Sequence, residues 1–221
     1  MKSVIKLYTI LTLLFISTAV DPPPPFANET LNFTYSDNSI YCGQMIMETN
    51  ISEPARNGNG TYYFASGDVY NGTWANDHME GTGNYTWANN ESYEGAFTND
   101  GMTGTGKRTW PNGNVYEGNF LNGEMDGIGK MTFSDGTTYE GDWHTSNITG
   151  SGVYTWAVGN YYNGTFKDNL MNGDGVLINE NGTTTGKWVN GLLNGATTIV
   201  KDGGITIQTE FINGVMSEKG N

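Results

Sequence analysis

The residues that most often do chemistry are few in this chain. His78 and His144 are its two histidines, and they fall at unrelated phases of the sequence. A metal or nucleophile site needs imidazole supported by Cys or carboxylate at close spacing, and neither histidine has that support, so both read as surface residues. Glu94, Glu117 and Glu140 recur in register. A row of carboxylates could hold cations or move protons. In successive two-strand units, however, these would lie roughly 10 Å apart, too far to share an ion, and a regular row gives no acid and base distinct environments. They read as a charged outer face that keeps a sheet soluble. Asp100, Asp126, Asp135 and Asp168 read as turn formers, because no segment shows the dense Asp alternation of a calcium loop. Cys42 is the one thiol, which excludes an intrachain disulfide and leaves an unused thiol or an intermolecular bridge. The expectation is no enzyme activity, no metal and no cofactor.

Composition narrows the remaining classes. The chain has 221 residues, 32 of them Gly, with 13% aromatic residues and a formal net charge of −13. So much Gly disfavours a helical bundle. Collagen is excluded because Gly is not every third residue, and the aromatic content argues against disorder. Ten Lys and Arg against 23 Asp and Glu leave no basic patch for nucleic acid.

What positions the remaining candidates is a repeat. Tyr-x-Gly begins at Tyr70, Tyr93, Tyr116, Tyr139 and Tyr162, each step being 23 residues. Two positions past each Gly stands Trp74, Phe97, Phe120, Trp143 or Phe166. A Gly-x-Gly follows (Gly81/Gly83, Gly104/Gly106, Gly127/Gly129, Gly150/Gly152, Gly173/Gly175), and then Trp87, Trp110, Phe133 and Trp156, with Asn179 breaking the series. Gly113, Gly136, Gly159 and Gly182 mark turns. The ends are degenerate. Tyr41-Cys42-Gly43, Gly58/Gly60 and Phe64 resemble a first unit, Gly186, Trp188 and Gly195 a seventh, and Ile205 to Gly214 a half unit.

Side chains alternate along strands, so each unit reads as a β-hairpin. Tyr116, Gly118 and Phe120 share one face. On the second strand Gly127, Gly129, Met131 and Phe133 share it. Leu121 to Asp126 is the expected connection within the unit, and Ser134 to Thr138 the turn into the next. Gly leaves room for a neighbouring ring, and the ring covers the backbone that Gly exposes. The candidate contact residues are the rings of this face: Tyr70, Trp74, Trp87, Tyr93, Phe97, Trp110, Tyr116, Phe120, Tyr139, Trp143, Trp156, Tyr162 and Phe166. Most are expected to be core. Apolar surface that one layer leaves uncovered would mark a contact site.

Residues 1–19 read as a cleaved signal peptide. Lys2 and Lys6 precede an apolar run from Leu7 to Val20 that is too short to span a bilayer, and Ser17-Thr18-Ala19 supplies small residues. An uncleaved anchor is the alternative. Residues 20–40, with Pro22 to Pro25, read as an extended tether. Residues 41–214 read as the array, best matched over 70–182, and residues 215–221 as a polar tail. The expected location is secreted, extracellular or luminal. Ten N-glycosylation sequons agree with it: Asn28, Asn32, Asn50, Asn59, Asn71, Asn84, Asn90, Asn147, Asn163 and Asn181.

The motif Tyr-x-Gly-x-Trp/Phe, then Gly-x-Gly, an aromatic and Gly, on a 23-residue period, resembles the MORN repeat (membrane occupation and recognition nexus). The resemblance covers roughly residues 41–214. It implies an all-β, elongated, twisted, single-layered antiparallel sheet of stacked hairpins, with a groove along one face. It also implies protein–protein contacts, often in homodimers, and in some relatives lipid headgroup binding. The array leaves no room for the catalytic segments that accompany it elsewhere. Lys and Arg are sparser here than is usual for the family: Lys107, Arg108, Lys130, Lys167 and Lys187 are nearly all the array carries. Recruitment to acidic lipid is therefore not expected, since it rests on basic clusters. The expected function is a non-catalytic scaffold for a protein partner, a second copy included. Carbohydrate binding through the open rings and peripheral membrane binding are the rival readings.

Overall fold

The computed structural model describes residues 30–46 and 54–217. Every regular element among them is a strand. The chain divides into two compact units, Met1–Met102 and Thr103–Asn221. The first holds β1 (Thr30–Thr34), β2 (Ile40–Ile46), β3 (Ala55–Tyr63), β4 (Val69–Ala75), β5 (His78–Thr86) and β6 (Ser92–Thr98). Each pairs antiparallel with the next. Strand β7 (Gly101–Thr109) carries the boundary, and its residues from Gly104 onward pair with β8 (Val115–Leu121). The second unit continues through β9 (Glu124–Thr132), β10 (Thr138–His144), β11 (Asn147–Thr155), β12 (Tyr161–Lys167), β13 (Leu170–Asn179) and β14 (Gly182–Val189). It ends with β15 (Leu192–Leu193), β16 (Gly195–Val200), β17 (Thr206–Ile212) and β18 (Val215–Met216). It too is an antiparallel meander, with β14 pairing both β15 and β16.

Two turn types alternate. The hairpin inside each repeat closes through two residues, both left-handed: Asn76-Asp77, Asn99-Asp100, Asn122-Gly123, Thr145-Ser146, Asp168-Asn169, Asn190-Gly191 and Asn213-Gly214. This is the type I′ geometry whose twist matches that of paired strands. The connection expected over Leu121 to Asp126 is thus only Asn122-Gly123, and both strands run longer.

The core is a stack of tyrosines over glycines. Gly118 and Gly129 face each other across β8 and β9, and a Cβ on either would lie against the Tyr116 ring. Tyr41 lies in the same way over Gly43 and Gly60, Tyr70 over Gly72 and Gly83, Tyr139 over Gly141 and Gly152, and Tyr162 over Gly164 and Gly175. Tyr41 is followed four positions on by Met45, and each of the other rings meets the aromatic four positions on at a right angle, as in Tyr116–Phe120 (5.1 Å) and Tyr139–Trp143 (5.3 Å). Within the second unit Trp143 also packs on Tyr116 and Phe166 on Tyr139. These edge-to-face contacts link successive repeats.

Alternation places Gly127 on the ring face, and the structure does not. The register shifts between Gly118 and Phe120, so that Phe120 pairs with Met125. Gly127 sits in this bulge at φ 106 and approaches Asn119 on the opposite face. The bulge adds two residues to β9, which keeps the phase of the strand beyond it, so Met125 is buried beside Phe120 on the same face as Gly129 while Gly127 alone turns away. The bulge bends a carbonyl toward the core, and the tyrosine hydroxyl satisfies it. Tyr70, Tyr93, Tyr116 and Tyr139 donate to the carbonyls of Thr73, Ala96, Asn119 and Asp142 at 2.9–3.1 Å.

Residues 30–34, expected within a tether, form β1. Leu31 and Phe33 alternate inward, Phe33 packs on Tyr35, and the strand pairs the edge of β2. Residues 215–216, expected in a polar tail, form β18 after the Asn213-Gly214 turn. The signal-like segment, Pro22 to Pro25, Asn28 and Asn50 lie outside the described residues.

Burial pushes the hydroxyls of Tyr41, Tyr70, Tyr93, Tyr116 and Tyr162 up to about 12, with desolvation the largest cause in each, and raises Tyr139 for the same reason. An unfolded tyrosine ionises near 10. Between these values the folded chain keeps a proton that the unfolded chain has released. Stability is therefore full below about pH 10 and falls as pH rises toward about 12. Base titration should show β-sheet ellipticity and phenolate absorbance changing together above about pH 10. Ionisation of all tyrosines with ellipticity intact would contradict this core.

Candidate functional site

The second aromatic of each repeat stands at a strand end, where a three-residue turn begins. The Trp87 amide donates to the Glu91 carbonyl and the Asn90 amide returns a bond to the Trp87 carbonyl, both at 2.9 Å. Phe64, Trp110, Phe133 and Trp156 are held by the same pair of bonds. A left-handed residue closes each turn: Gly67, Asn90, Gly113, Gly136 and Gly159. Neighbouring turns are tied together. The Asp68 carboxylate accepts the Ala88 amide at 2.9 Å, and the Asn114 amide oxygen accepts the Ser134 amide at 3.0 Å. These five rings are half-buried, so each unit presents a rigid row along its turn edge.

The thirteen sequence candidates separate by depth. Tyr70, Trp74, Tyr93, Phe97, Tyr116, Phe120, Tyr139, Trp143, Tyr162 and Phe166 are buried, at no more than 6% exposure. They cannot touch a partner while the sheet is folded. Trp87, Trp110 and Trp156 remain accessible. Phe64 and Phe133 join them, and both were legible from their phase in the repeat. Behind this row lie Tyr62 and Tyr85 in the first unit and Arg108, Met131 and Tyr154 in the second. Ring centroids connect Tyr62 to Phe64 (4.6 Å), Phe64 to Tyr85 (5.6 Å) and Tyr85 to Trp87 (4.7 Å). Tyr154 meets Trp156 at 5.0 Å, and the Arg108 guanidinium lies 5.1 Å over Trp110. The Tyr85 hydroxyl donates to Asp68 at 2.9 Å, and burial with this bond raises it well above the usual phenol value.

The other candidates meet in pairs at most, and the fold gives each histidine a carboxylate neighbour that the linear spacing did not show. His78 Nδ1 lies 2.6 Å from Asp100 in the first unit, and His144 Nδ1 lies 2.9 Å from Asp126 in the second. Among the described residues no group of His, Cys, Asp and Glu could hold a metal. Glu117 is bridged to Lys107 at 2.8 Å, which holds its carboxyl below the usual range, and Glu140 stands 3.8 Å from Lys130. These pairs form a charge ladder on the outer face. Asp100 and Asp168 do sit in two-residue turns. An open groove on the outer face of the second unit is lined by Asp174, Val176, Thr185, Lys187 and Thr198. Cys42 is a half-buried free thiol.

The eight described sequon asparagines are all exposed. Two sequon hydroxyls also serve the fold. Thr73 Oγ1 donates to the Glu80 carbonyl and Thr165 Oγ1 to that of Asn172, each across a bulge. No helix of the described residues is long and apolar enough to cross a membrane.

The family profile described as "MORN repeat" matches residues 55–69, 70–92, 93–115, 116–138, 139–161 and 162–184, more than half of the chain. No curated protein matches it. Similar solved structures include the SAS-4 TCP domain in complex with a proline-rich motif of Ana2 from Drosophila melanogaster. It is 19% identical over 76% of this chain and 97% of that one, with a TM-score of 0.39. A mutant of the TCP10 domain of Danio rerio CPAP is 14% identical over 82% and 99%, with a TM-score of 0.23. A catalytically inactive virginiamycin B lyase from Staphylococcus aureus with quinupristin is 10% identical over 85% and 70%, with a TM-score of 0.18. Likeness this loose carries no function across.

Proposed function

The chain belongs to the MORN-repeat family, and from that premise we propose that it is a non-catalytic scaffold in the secretory or extracellular space that binds a protein partner along its turn edge. One observation carries the reading. Of the rings on the inner face, those at the turns are half-exposed while the Tyr-x-Gly rings are sealed. Aromatic side chains fixed in place and left partly wet suit a contact surface, because little further ordering is needed on binding. The signal-like N-terminus and the exposed sequons support the compartment. Capture from the native extracellular fraction, with Phe133→Ala and Trp156→Ala as comparisons, tests the proposal. Both variants should keep the wild-type melting profile and lose the partner. A partner retained by both, or a chain kept inside the cell, would count against it.

Carbohydrate is the second reading, favoured by rings that recur every second strand along an open edge. Glycan-array binding that disappears in Trp156→Ala would put it first.

A further inference from the structure

The first unit is the more acidic surface. Its described residues carry seven carboxylates against one Lys or Arg, Arg56. That residue shows what the ring face accepts. The Arg56 guanidinium lies 4.2 Å over the Trp74 ring and 4.8 Å over that of Tyr62, and Nε donates to Asp77 at 3.0 Å. Its side chain is only 15% exposed. In the second unit Arg108 stacks on Trp110. Each unit therefore already seats one guanidinium against its rings.

The turn edge of the first unit offers the same components to a visitor. Phe64, Tyr85 and Trp87 form a continuous half-buried run. Three successive turns each carry a carboxylate: Asp37 in the turn that starts at Tyr35, Asp68 in that of Phe64 and Glu91 in that of Trp87. Asp68 is fixed by the Tyr85 hydroxyl and the Ala88 amide. Planar guanidinium stacks on aromatic faces and pairs with carboxylates more readily than ammonium does. Successive turns are two strands apart, roughly 10 Å. A polyproline II segment brings every third side chain to one face at about 9.3 Å intervals. Resting on the contact-edge reading above, we propose that the partner presents an extended segment with arginine at every third position, docked across the Phe64–Trp87 edge with its guanidinium groups against the rings and the turn carboxylates.

Fluorescence titration of the full chain with short synthetic peptides tests this. A peptide with arginine at every third position should bind about fivefold more tightly than its lysine counterpart. It should also bind about threefold more tightly than a peptide of equal composition with its arginines contiguous. Binding should weaken with salt, vanish in Phe64→Ala and fall about threefold in Asp68→Asn. Asparagine there can still accept the Ala88 amide and contact the Tyr85 hydroxyl, so the fold is kept. Glu94→Gln, on the outer face, should change nothing. Equal affinity for all three peptides, or indifference to both Phe64→Ala and Asp68→Asn, would overturn the proposal. A native partner lost on Phe64→Ala without any arginine-peptide binding would overturn the arginine inference and keep the contact edge. A partner indifferent to every ring variant would remove both.

Discussion

Gly129→Ala should destabilise the second unit by about 3–5 kcal/mol, the range for losing a buried aromatic. The added methyl would collide with the hydroxyl edge of the Tyr116 ring, with Gly118 on the paired strand. The ring has nowhere to go. It is fully buried, it packs edge-on against Phe120 and Trp143 at 5.1 and 5.3 Å, and its hydroxyl is bound to the Asn119 carbonyl. Either the strands part or the ring leaves. Gly159→Ala is the matched comparison. It also burdens a glycine, at φ 86, but a Cβ there meets nothing within 4 Å, so only backbone strain of roughly 1–2 kcal/mol applies. A double-mutant cycle isolates the cause. In a Tyr116→Ala background the further change Gly129→Ala should cost less than about 1 kcal/mol, because the clash is gone. Urea unfolding gives the totals, and amide exchange in β8 and β9 shows whether the loss is local, as expected where each repeat leans only on its neighbours. Equal costs for Gly129→Ala and Gly159→Ala would mean that conformational freedom, not space for the ring, explains the glycines.

The hairpin stack was legible because one physical requirement recurs with one period. Within each unit the tyrosine of Tyr-x-Gly meets the second Gly of the Gly-x-Gly that follows it, so the sequence shows the ring and its gap together. The first Gly was misleading for the same reason. Gly127 has the type that fits a ring-face gap, yet its use is a left-handed bulge position. A bulge leaves no mark in composition, since it depends on how two strands register. The edge strand β1 was hidden for a different reason. Leu31 and Phe33 lie outside the repeat phase, and the demand they meet, covering the edge of β2, exists only once the sheet is built. Depth was also invisible. Trp143 and Trp156 are the same residue type on the same face, but one is walled in by Tyr116 and Tyr139 while the other ends a strand at a turn. The contact edge emerges from that difference, which alternation along a strand cannot express.

That difference has a measurable consequence. Trp143→Ala should cost about 3–5 kcal/mol, and Trp156→Ala no more than about 1 kcal/mol. Trp143 is 5% exposed, its Nε1 donates to the buried Gly129 carbonyl at 3.1 Å, and it meets a tyrosine ring on either side at 5.3 Å. Truncation therefore opens a cavity between two repeats and leaves a carbonyl short of a donor. Trp143→Phe separates these two losses. Phe97, Phe120 and Phe166 occupy the same phase in other repeats, so a phenyl ring fits this site, and the variant should lose only the indole bond, about 1 kcal/mol. Trp156 meets Tyr154 at 5.0 Å but keeps one side in water, and its turn is secured by backbone bonds that alanine preserves. Trp156→Ala should then melt close to wild type while partner capture falls. If its melting temperature drops as far as that of Trp143→Ala, the turn-edge rings are core, and the surface proposed for the partner does not exist in the folded chain.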